Sequence, residues 1–315
     1  MTPSVPRISI IVLNWNGLND TVPCLESVLR LDYPNFEVLL VDNGSTDESV
    51  AVLRKQFPQV VVLENGENLG FAEGNNRGIE LALKRGADYV LLLNNDTEVD
   101  AGVLSAFAEA ARDHPDCGMF AARIFFFDEP QKLFYRGAKF IWKLAGFIHI
   151  GHHSLETNPS VAVEDTGFAS GCALLASSRL IRDIGPLDAR FYLNWEDIEW
   201  STRSILRGYG CKLVPKAVVY HKVSASFVGG AQGPHHRYYF SRNQLLWIRL
   251  RWGRRYVASL LVTVIGRRIV RDCVTLLNPF ASKASRRSAK AGLCGVRDYF
   301  FGKFGKGPDW LLESG

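Results

Sequence analysis

The apolar positions of the chain come in short, β-branched runs, each cut off by a polar cluster and followed by residues at helical spacing. Residues 8–13 (ISIIVL) form the first run, which ends at Asn14-Trp15-Asn16-Gly17. An uninterrupted apolar stretch of this length predicts a strand buried on both faces and opening into a loop. A helix is predicted over residues 22–31. Residues 36–41 (FEVLLV) are a second buried strand, stopped by Asp42-Asn43-Gly44-Ser45-Thr46-Asp47 before helical spacing resumes over 49–57. A third strand at 60–64 leads into Asn68-Leu69-Gly70-Phe71-Ala72-Glu73-Gly74-Asn75-Asn76 and a helix through Arg85. The fourth, at 89–93, breaks at Asn94-Asn95-Asp96-Thr97.

Strand, polar loop and helix in this alternation predict a doubly wound, mostly parallel α/β sheet, whose ligands bind beyond the carboxyl ends of the strands. Every polar cluster named above lies at such an end. Past a helix at 101–113 the pattern becomes mixed. Strand candidates fall at 119–127 and 167–177, with a hairpin near 134–150. Helices are predicted at 179–184 and 196–207, separated by the turn Gly185-Pro186-Leu187-Asp188, and a last strand at 213–221.

Composition narrows the class. With 315 residues, 47% of them apolar and 22% charged, the chain can bury a full core and is neither disordered nor repetitive. The net charge of +5 conceals an asymmetry: residues 237–315 hold sixteen Lys/Arg against four Asp/Glu, whereas residues 1–236 are net acidic. The expected organisation is therefore an α/β domain over 1–235, with halves 1–100 and 101–235, and a basic amphipathic helical extension over 236–315. Six scattered cysteines without C-x-x-C spacing indicate neither a zinc knuckle nor a disulfide framework. The first residues do not read as a signal peptide, so a cytoplasmic location is expected.

The strand-end clusters supply amides and carboxylates. Glycines 70, 74 and 78 are spaced G-x-x-x-G-x-x-x-G, which is neither the dinucleotide fingerprint nor a Walker loop. Asp96, after the fourth strand, stands where a hard divalent cation held by oxygen ligands could bridge a pyrophosphate. Taken in order, Val12-Leu13-Asn14-Trp15-Asn16-Gly17, the clusters beginning at Val41, Asn68 and Leu92, Trp195-Glu196-Asp197 and Tyr220-His221 resemble the family 2 glycosyltransferases of GT-A fold, especially their rhamnosyltransferase-like branch. The resemblance spans roughly residues 7–222.

That resemblance implies a role for each matched residue. Val12, Asn14 and Asn16 would border the donor, and Asp42 would bind its base or ribose. Asn68, Gly70 and Asn76 would line the nucleotide and diphosphate. Asn94, Asn95 and Asp96 occupy the family's D-x-D position, with Asp96 on Mg²⁺ or Mn²⁺. Asn94 departs from the family's Asp and brings no charge, which makes His221 the candidate further ligand. Asp197 would be the base that takes the acceptor hydroxyl's proton during an inverting displacement. Glu196 would orient it, Trp195 could stack on a sugar, and Gly171 would lie beside the acceptor.

Plainer readings stand beside these. Asp42 and Asp47 suit Asx-turn caps, Asp96 suits a helix cap, and Glu196, Asp197 and Glu199 suit the positive end of a helix. His221 suits a structural strand end, and His149, His152 and His153 suit a loop or surface. In the basic segment an apolar run of about eleven residues falls short of the ~20 that cross a bilayer. It suits an interfacial helix on an anionic cytoplasmic leaflet or a helical hairpin packed on the catalytic domain, while nucleic acid is disfavoured because no binding motif accompanies the charge. The resemblance thus implies transfer of a sugar, rhamnose from dTDP-rhamnose first, from a nucleotide diphosphate donor to a glycan or lipid-linked acceptor at the inner membrane face. Galactofuranosyl or glucosyl transfer, or a non-catalytic membrane-surface protein on a degenerate scaffold, are the alternatives.

Overall fold

The four apolar runs of the first hundred residues make the parallel half of one sheet. In the computed structural model, which describes residues 5–141, 143, 145–157, 160–223 and 233–312, they are β1 (Ile8–Asn14), β2 (Phe36–Asp42), β3 (Val61–Glu64) and β4 (Tyr89–Asn94), ordered β3-β2-β1-β4. Ile8, Ile10, Ile11 and Val12 are fully buried, as a strand covered on both faces requires. The returning helices are α1 (Leu18–Val28), α2 (Ser49–Gln56) and α3 (Gly70–Lys84). Helix α3 lies close on the sheet because Gly78 has no side chain; a Cβ there would stand 2.8 Å from Ile11 Cγ2 and 3.0 Å from Val41 Cγ2. Register pairs Asn14 with Asp42 and Leu13 with Asn94, so the polar ends of three strands are level.

The sheet then stops being parallel. Strand β5 (Thr97–Val99) and helix α4 (Val103–Asp113) precede β6 (Met119–Phe126), β7 (Leu133–Tyr135), the mutually paired β8 (Ala138–Ile141) and β9 (Gly146–His149), the short β10 (Glu164–Asp165) and β11 (Ala173–Ser177). Strand β11 inserts antiparallel between β4 and β6. Helices α5 (Ser178–Ile184) and α6 (Glu196–Leu206) lead to β12 (Lys212–His221), which runs parallel to β6. Strand β5 pairs with β12 so that Thr97 faces His221.

The chain sorts into two units, and their boundaries differ from a division at residue 235. One comprises Met1–Lys139, His149–Asp188 and Asp197–Val223; the other comprises Phe140–Ile148, Ala189–Glu196 and Ser224–Gly315. Two short segments expected in the catalytic domain thus belong with the basic helices α7 (Pro234–Trp252), α8 (Arg254–Val262), α9 (Val264–Leu277) and α10 (Lys283–Phe300). Helix α7 is not an amphipathic surface helix. It buries Tyr238, Tyr239, Arg242, Asn243, Gln244, Leu245, Leu246 and Trp247, and Tyr238 and Tyr239 form a core cluster with Tyr192, Ala291 and Leu311. Helix α10 crosses it tightly at Gly295, where a Cβ would stand 2.3 Å from the Tyr238 carbonyl. The apolar run after Tyr256 is interrupted at Thr263, between α8 and α9. Among the described residues no helix is long and apolar enough to cross a membrane.

Candidate active site

The loops after β1 and β2 fold against each other through side chains. Buried Asn14 donates from Nδ2 to Asp42 Oδ1 at 3.0 Å and to Ser45 Oγ at 3.1 Å, while its Oδ1 accepts from the Thr21 hydroxyl at 2.8 Å. The second Asp42 oxygen accepts from the Ser45 amide at 2.9 Å. Asn16, in the left-handed region at φ 51°, accepts from the Thr46 amide at 2.8 Å. The Asx-turn reading of Asp42 therefore holds geometrically. The turn also presents this carboxylate at a strand end, level with Asn14. Val12 is fully buried in mid-strand, so its side chain belongs to the core and is not available to a donor.

Asn43, given no role of its own by the sequence, is the hub of the next layer. Its Nδ2 donates to Asn68 Oδ1 at 3.0 Å and to the Gly70 carbonyl at 3.1 Å; its Oδ1 accepts from Asn65 Nδ2 and the Leu69 amide, both at 3.1 Å. Asn68 also accepts from the Gly70 amide at 2.9 Å, which shapes the turn into α3. Asn76 is placed differently from expectation. Its amide makes a two-way pair with the Leu187 backbone, at 2.9 and 3.0 Å, so both ends of the group are used in holding the segment after α5. Its role is structural, and a diphosphate would have to break that pair.

At the end of β4, Asn95 donates to Thr21 Oγ1 at 2.9 Å, and the Asn94 amide donates to the Cys172 carbonyl at 2.9 Å. Asp96 is buried, with Oδ1 3.1 Å from His221 Nε2. The β5–β12 pairing produces this approach, aided by the Lys222 amide donating to the Asp96 carbonyl at 2.9 Å. Burial opposes a charge on His221, but the Cys172 sulfur beside it and the Asp96 carboxylate outweigh that and raise its pKa to about 10. A carboxylate and an imidazole this close fit a hard divalent cation that draws its remaining ligands from a diphosphate and water. The cation would displace the imidazolium proton. Among the described residues no group of three His, Cys, Asp or Glu side chains converges to hold an ion unaided.

Asp197 stands in the first turn of α6. Its Oδ2 accepts from the Gly171 amide at 2.9 Å and its Oδ1 from the Ile198 amide at 2.7 Å. Burial raises its pKa above the ordinary aspartate value, against the pull of those amides. Gly171 permits this approach because a Cβ would press on the Phe71 ring at 3.3 Å and on the Asp197 Cβ at 3.4 Å. The next residue, buried Cys172, accepts through its carbonyl from the Asn94 amide at the end of β4, which leads into Asp96. Two consecutive residues thus join the end of β4 to Asp197.

The remaining predictions fare unevenly. Glu196 is buried at the first position of α6. Trp195 is only 4% exposed, its ring packed on Phe240 and Trp247 at 5.4 and 5.3 Å, so it is a core residue and offers no open face for a sugar to stack on. Trp15, left without a role by the sequence, is 40% exposed beside the Asp42 turn; an aromatic between two asparagines at a strand end was the available signal. His152 and His153 are exposed as expected, but His149 is half-buried against Tyr135 and Phe168, which lowers its pKa. The Phe134 carbonyl lies 2.8 Å from His152 Nδ1, and the Phe134 ring meets His221 edge-on at 4.8 Å.

A doubly wound, mostly parallel sheet with acidic and amide side chains level at its strand ends is the architecture of the GT-A fold. Residues 9–172, just over half of the chain, match the model of glycosyl transferase family 2, and the chain belongs to that family. It is 28% identical over 207 residues to the N-acetylglucosaminyl-diphospho-decaprenol L-rhamnosyltransferase of Mycobacterium tuberculosis, covering 58% of this chain and 66% of the relative, a little under two thirds of that protein's length. Among solved structures it resembles the mannosyltransferase PcManGT from Pyrobaculum calidifontis in complex with GDP-Man and Mn²⁺, with a TM-score of 0.57, 14% identity and coverage of 96% of this chain and 89% of that one. It also resembles GalNAc-T7 with UDP, GalNAc and Mn²⁺, with a TM-score of 0.64, 13% identity and coverage of 95% and 56%.

Proposed function

We propose that this chain is an inverting, divalent-cation-assisted glycosyltransferase that moves rhamnose from dTDP-rhamnose to a glycan or lipid-linked acceptor in surface polysaccharide synthesis. The observation that carries the mechanism is the Gly171–Cys172 link, in which one residue bonds Asp197 and the next bonds the Asn94 amide at the strand end that leads into Asp96. The Asp42 turn and Trp15 receive the nucleoside, and the Asn43–Asn68–Gly70 turn lies beside the diphosphate. Asp96 and His221 would hold Mg²⁺ or Mn²⁺, which when bound neutralises charge on the departing diphosphate. Asp197 accepts the acceptor hydroxyl's proton, and its raised pKa makes it a better proton acceptor than an exposed aspartate. A single displacement from the face opposite the leaving group inverts the anomeric centre.

Rhamnose is the first sugar to test because the mycobacterial relative is named as a rhamnosyltransferase, and that relative's name also motivates a lipid-diphosphate acceptor. An acceptor of that kind puts the enzyme at the cytoplasmic membrane face. An exposed stripe supports docking there: Val270, Val274 and Leu277 on α9, then Phe280, with Arg267 and Arg271 beside them. The deciding assay is nucleoside diphosphate release from a panel of nucleotide sugars, with and without Mn²⁺, for the parent and Asp197→Asn. Cation-dependent release from dTDP-rhamnose that Asp197→Asn abolishes while still binding donor is the expected result. Normal turnover by Asp197→Asn would remove the base from this reading, and release from a different sugar alone would replace the donor.

A further inference from the structure

The segment Ala189–Glu196, which ends one residue before Asp197, is unusual in its backbone. Tyr192, Asn194 and Trp195 all lie in the left-handed region, at φ 64°, 67° and 75°. Side chains other than glycine avoid this region, and three such residues within four positions persist only where the surroundings impose them.

Two adjacent residues of α7 impose them. Asn243 donates from Nδ2 to the carbonyls of Phe191 at 2.7 Å, Leu193 at 2.9 Å and Asn194 at 2.8 Å. Arg242 donates to the carbonyls of Phe191 at 3.0 Å and Arg190 at 3.3 Å, and to that of Gly305 at 2.7 Å. Its Nε donates to Asn243 Oδ1 at 2.9 Å, so the pair acts as one clamp. Both side chains are fully buried, and the guanidinium lies over the rings of Tyr238 and Tyr239 at 5.2 and 4.9 Å. Burying a guanidinium that bonds carbonyls instead of pairing with a carboxylate is expensive, and a hydrophobic helix contact would have served stability better. A bifurcated asparagine and a forked guanidinium can instead fix several carbonyl directions at once, which apolar packing cannot.

We propose that Arg242 and Asn243 are positioning residues: by holding the carbonyls of residues 190–194 they set the conformation of the strained segment that delivers Glu196 and Asp197 to the start of α6. This inference rests on Asp197 being the base.

The test uses the full chain with Asn243→Ala and Arg242→Lys, the latter keeping a buried cation but losing the fork. Donor dissociation constant, kcat, the pH profile of kcat and thermal midpoint are measured for each. Donor binding within about twofold of the parent is expected, with kcat lowered by roughly tenfold to a hundredfold and the acidic limb of the pH profile displaced. A purely structural clamp would lower the thermal midpoint without moving that limb, and this result overturns the proposal. So does parental kcat in both variants. Should Asn243→Ala fail to fold, Arg242→Lys decides on the same criteria. Asp197→Asn run in parallel separates the two readings: inactive Asp197→Asn with fully active clamp variants removes the positioning role alone, whereas an active Asp197→Asn removes the base and this inference with it.

Discussion

Replacing Gly44 and Gly66 by alanine, one at a time, separates backbone strain from steric contact at the donor edge. Both glycines sit at nearly the same positive φ, +76° and +77°. An alanine held there costs about 1–2 kcal/mol in either place, and the ordering it gives the unfolded chain is also the same in both. Their surroundings differ. A Cβ on Gly44 would lie 2.5 Å from Glu67 Cα, 2.6 Å from its carbonyl carbon and 2.8 Å from its nitrogen, all backbone atoms that cannot swing aside. A Cβ on Gly66 meets nothing within 4 Å. Overpacking of this kind adds about 1–3 kcal/mol, so Gly44→Ala is expected to lose about 2–4 kcal/mol and Gly66→Ala about 1 kcal/mol. Urea unfolding of the two variants reads the difference directly. Because Gly44 belongs to the turn in which the Ser45 amide holds Asp42, Gly44→Ala is also expected to weaken nucleotide binding, and Gly66→Ala is not. Equal destabilisation, within about 0.5 kcal/mol, would refute the contact reasoning.

Three further outcomes follow from the geometry. Trp195→Ala is expected to cost about 3–5 kcal/mol in unfolding free energy, because the ring is core and not an acceptor platform; loss of acceptor affinity with unchanged stability would contradict that. Asp197 has a raised pKa in the folded chain, so its ionised form is disfavoured there: stability present at low pH is lost as pH rises through that value, and Asp197→Asn should melt higher than the parent at pH 8. Since the base works ionised, activity runs the opposite way: it is lost as pH drops through the same value, giving an acidic limb above that of an ordinary aspartate. For the exposed stripe, the parent is expected to sediment with vesicles of phosphatidylglycerol and phosphatidylcholine at moderate salt, and Leu277→Ser with Phe280→Ser to reduce that fraction several-fold; equal sedimentation removes membrane docking by this face.

The parallel half of the sheet was legible because a strand covered on both faces leaves a continuous apolar run, and a polar cluster marks where it ends. Asn14, Asp42 and Asp96 were therefore found at the right strand ends. The Asp96–His221 contact joins residues 125 apart and depends on β5, three residues long, which leaves no periodic trace. Asn43 and Asn76 show the opposite difficulty. They are chemically alike and both lie in matched clusters, yet one organises the turn beside Asn68 while the other holds Leu187, and only three-dimensional partners separate them. Trp195 misled for a related reason, since an aromatic beside two acids reads as a sugar platform until its neighbours Phe240 and Trp247 are known.

The basic C-terminal region makes the same point through charge. Counting Lys and Arg treats every cation as surface, but these cations have different fates. Arg242 is 0% exposed and bonds carbonyls, Arg237 pairs with buried Asp272, and Arg286 donates to the carbonyls of Asn278 and Pro279. That last contact braces the turn on which Phe280 stands 94% exposed. Arg267 and Arg271 are exposed beside the apolar stripe, Arg271 with its Nε 3.8 Å from an Asp272 oxygen. The interior of these helices thus holds the backbone of residues 190–194, and their exterior carries the exposed stripe from Val270 to Phe280. Truncating the region would abolish both together, which is why point substitutions at Asn243 and Phe280 are needed to tell them apart.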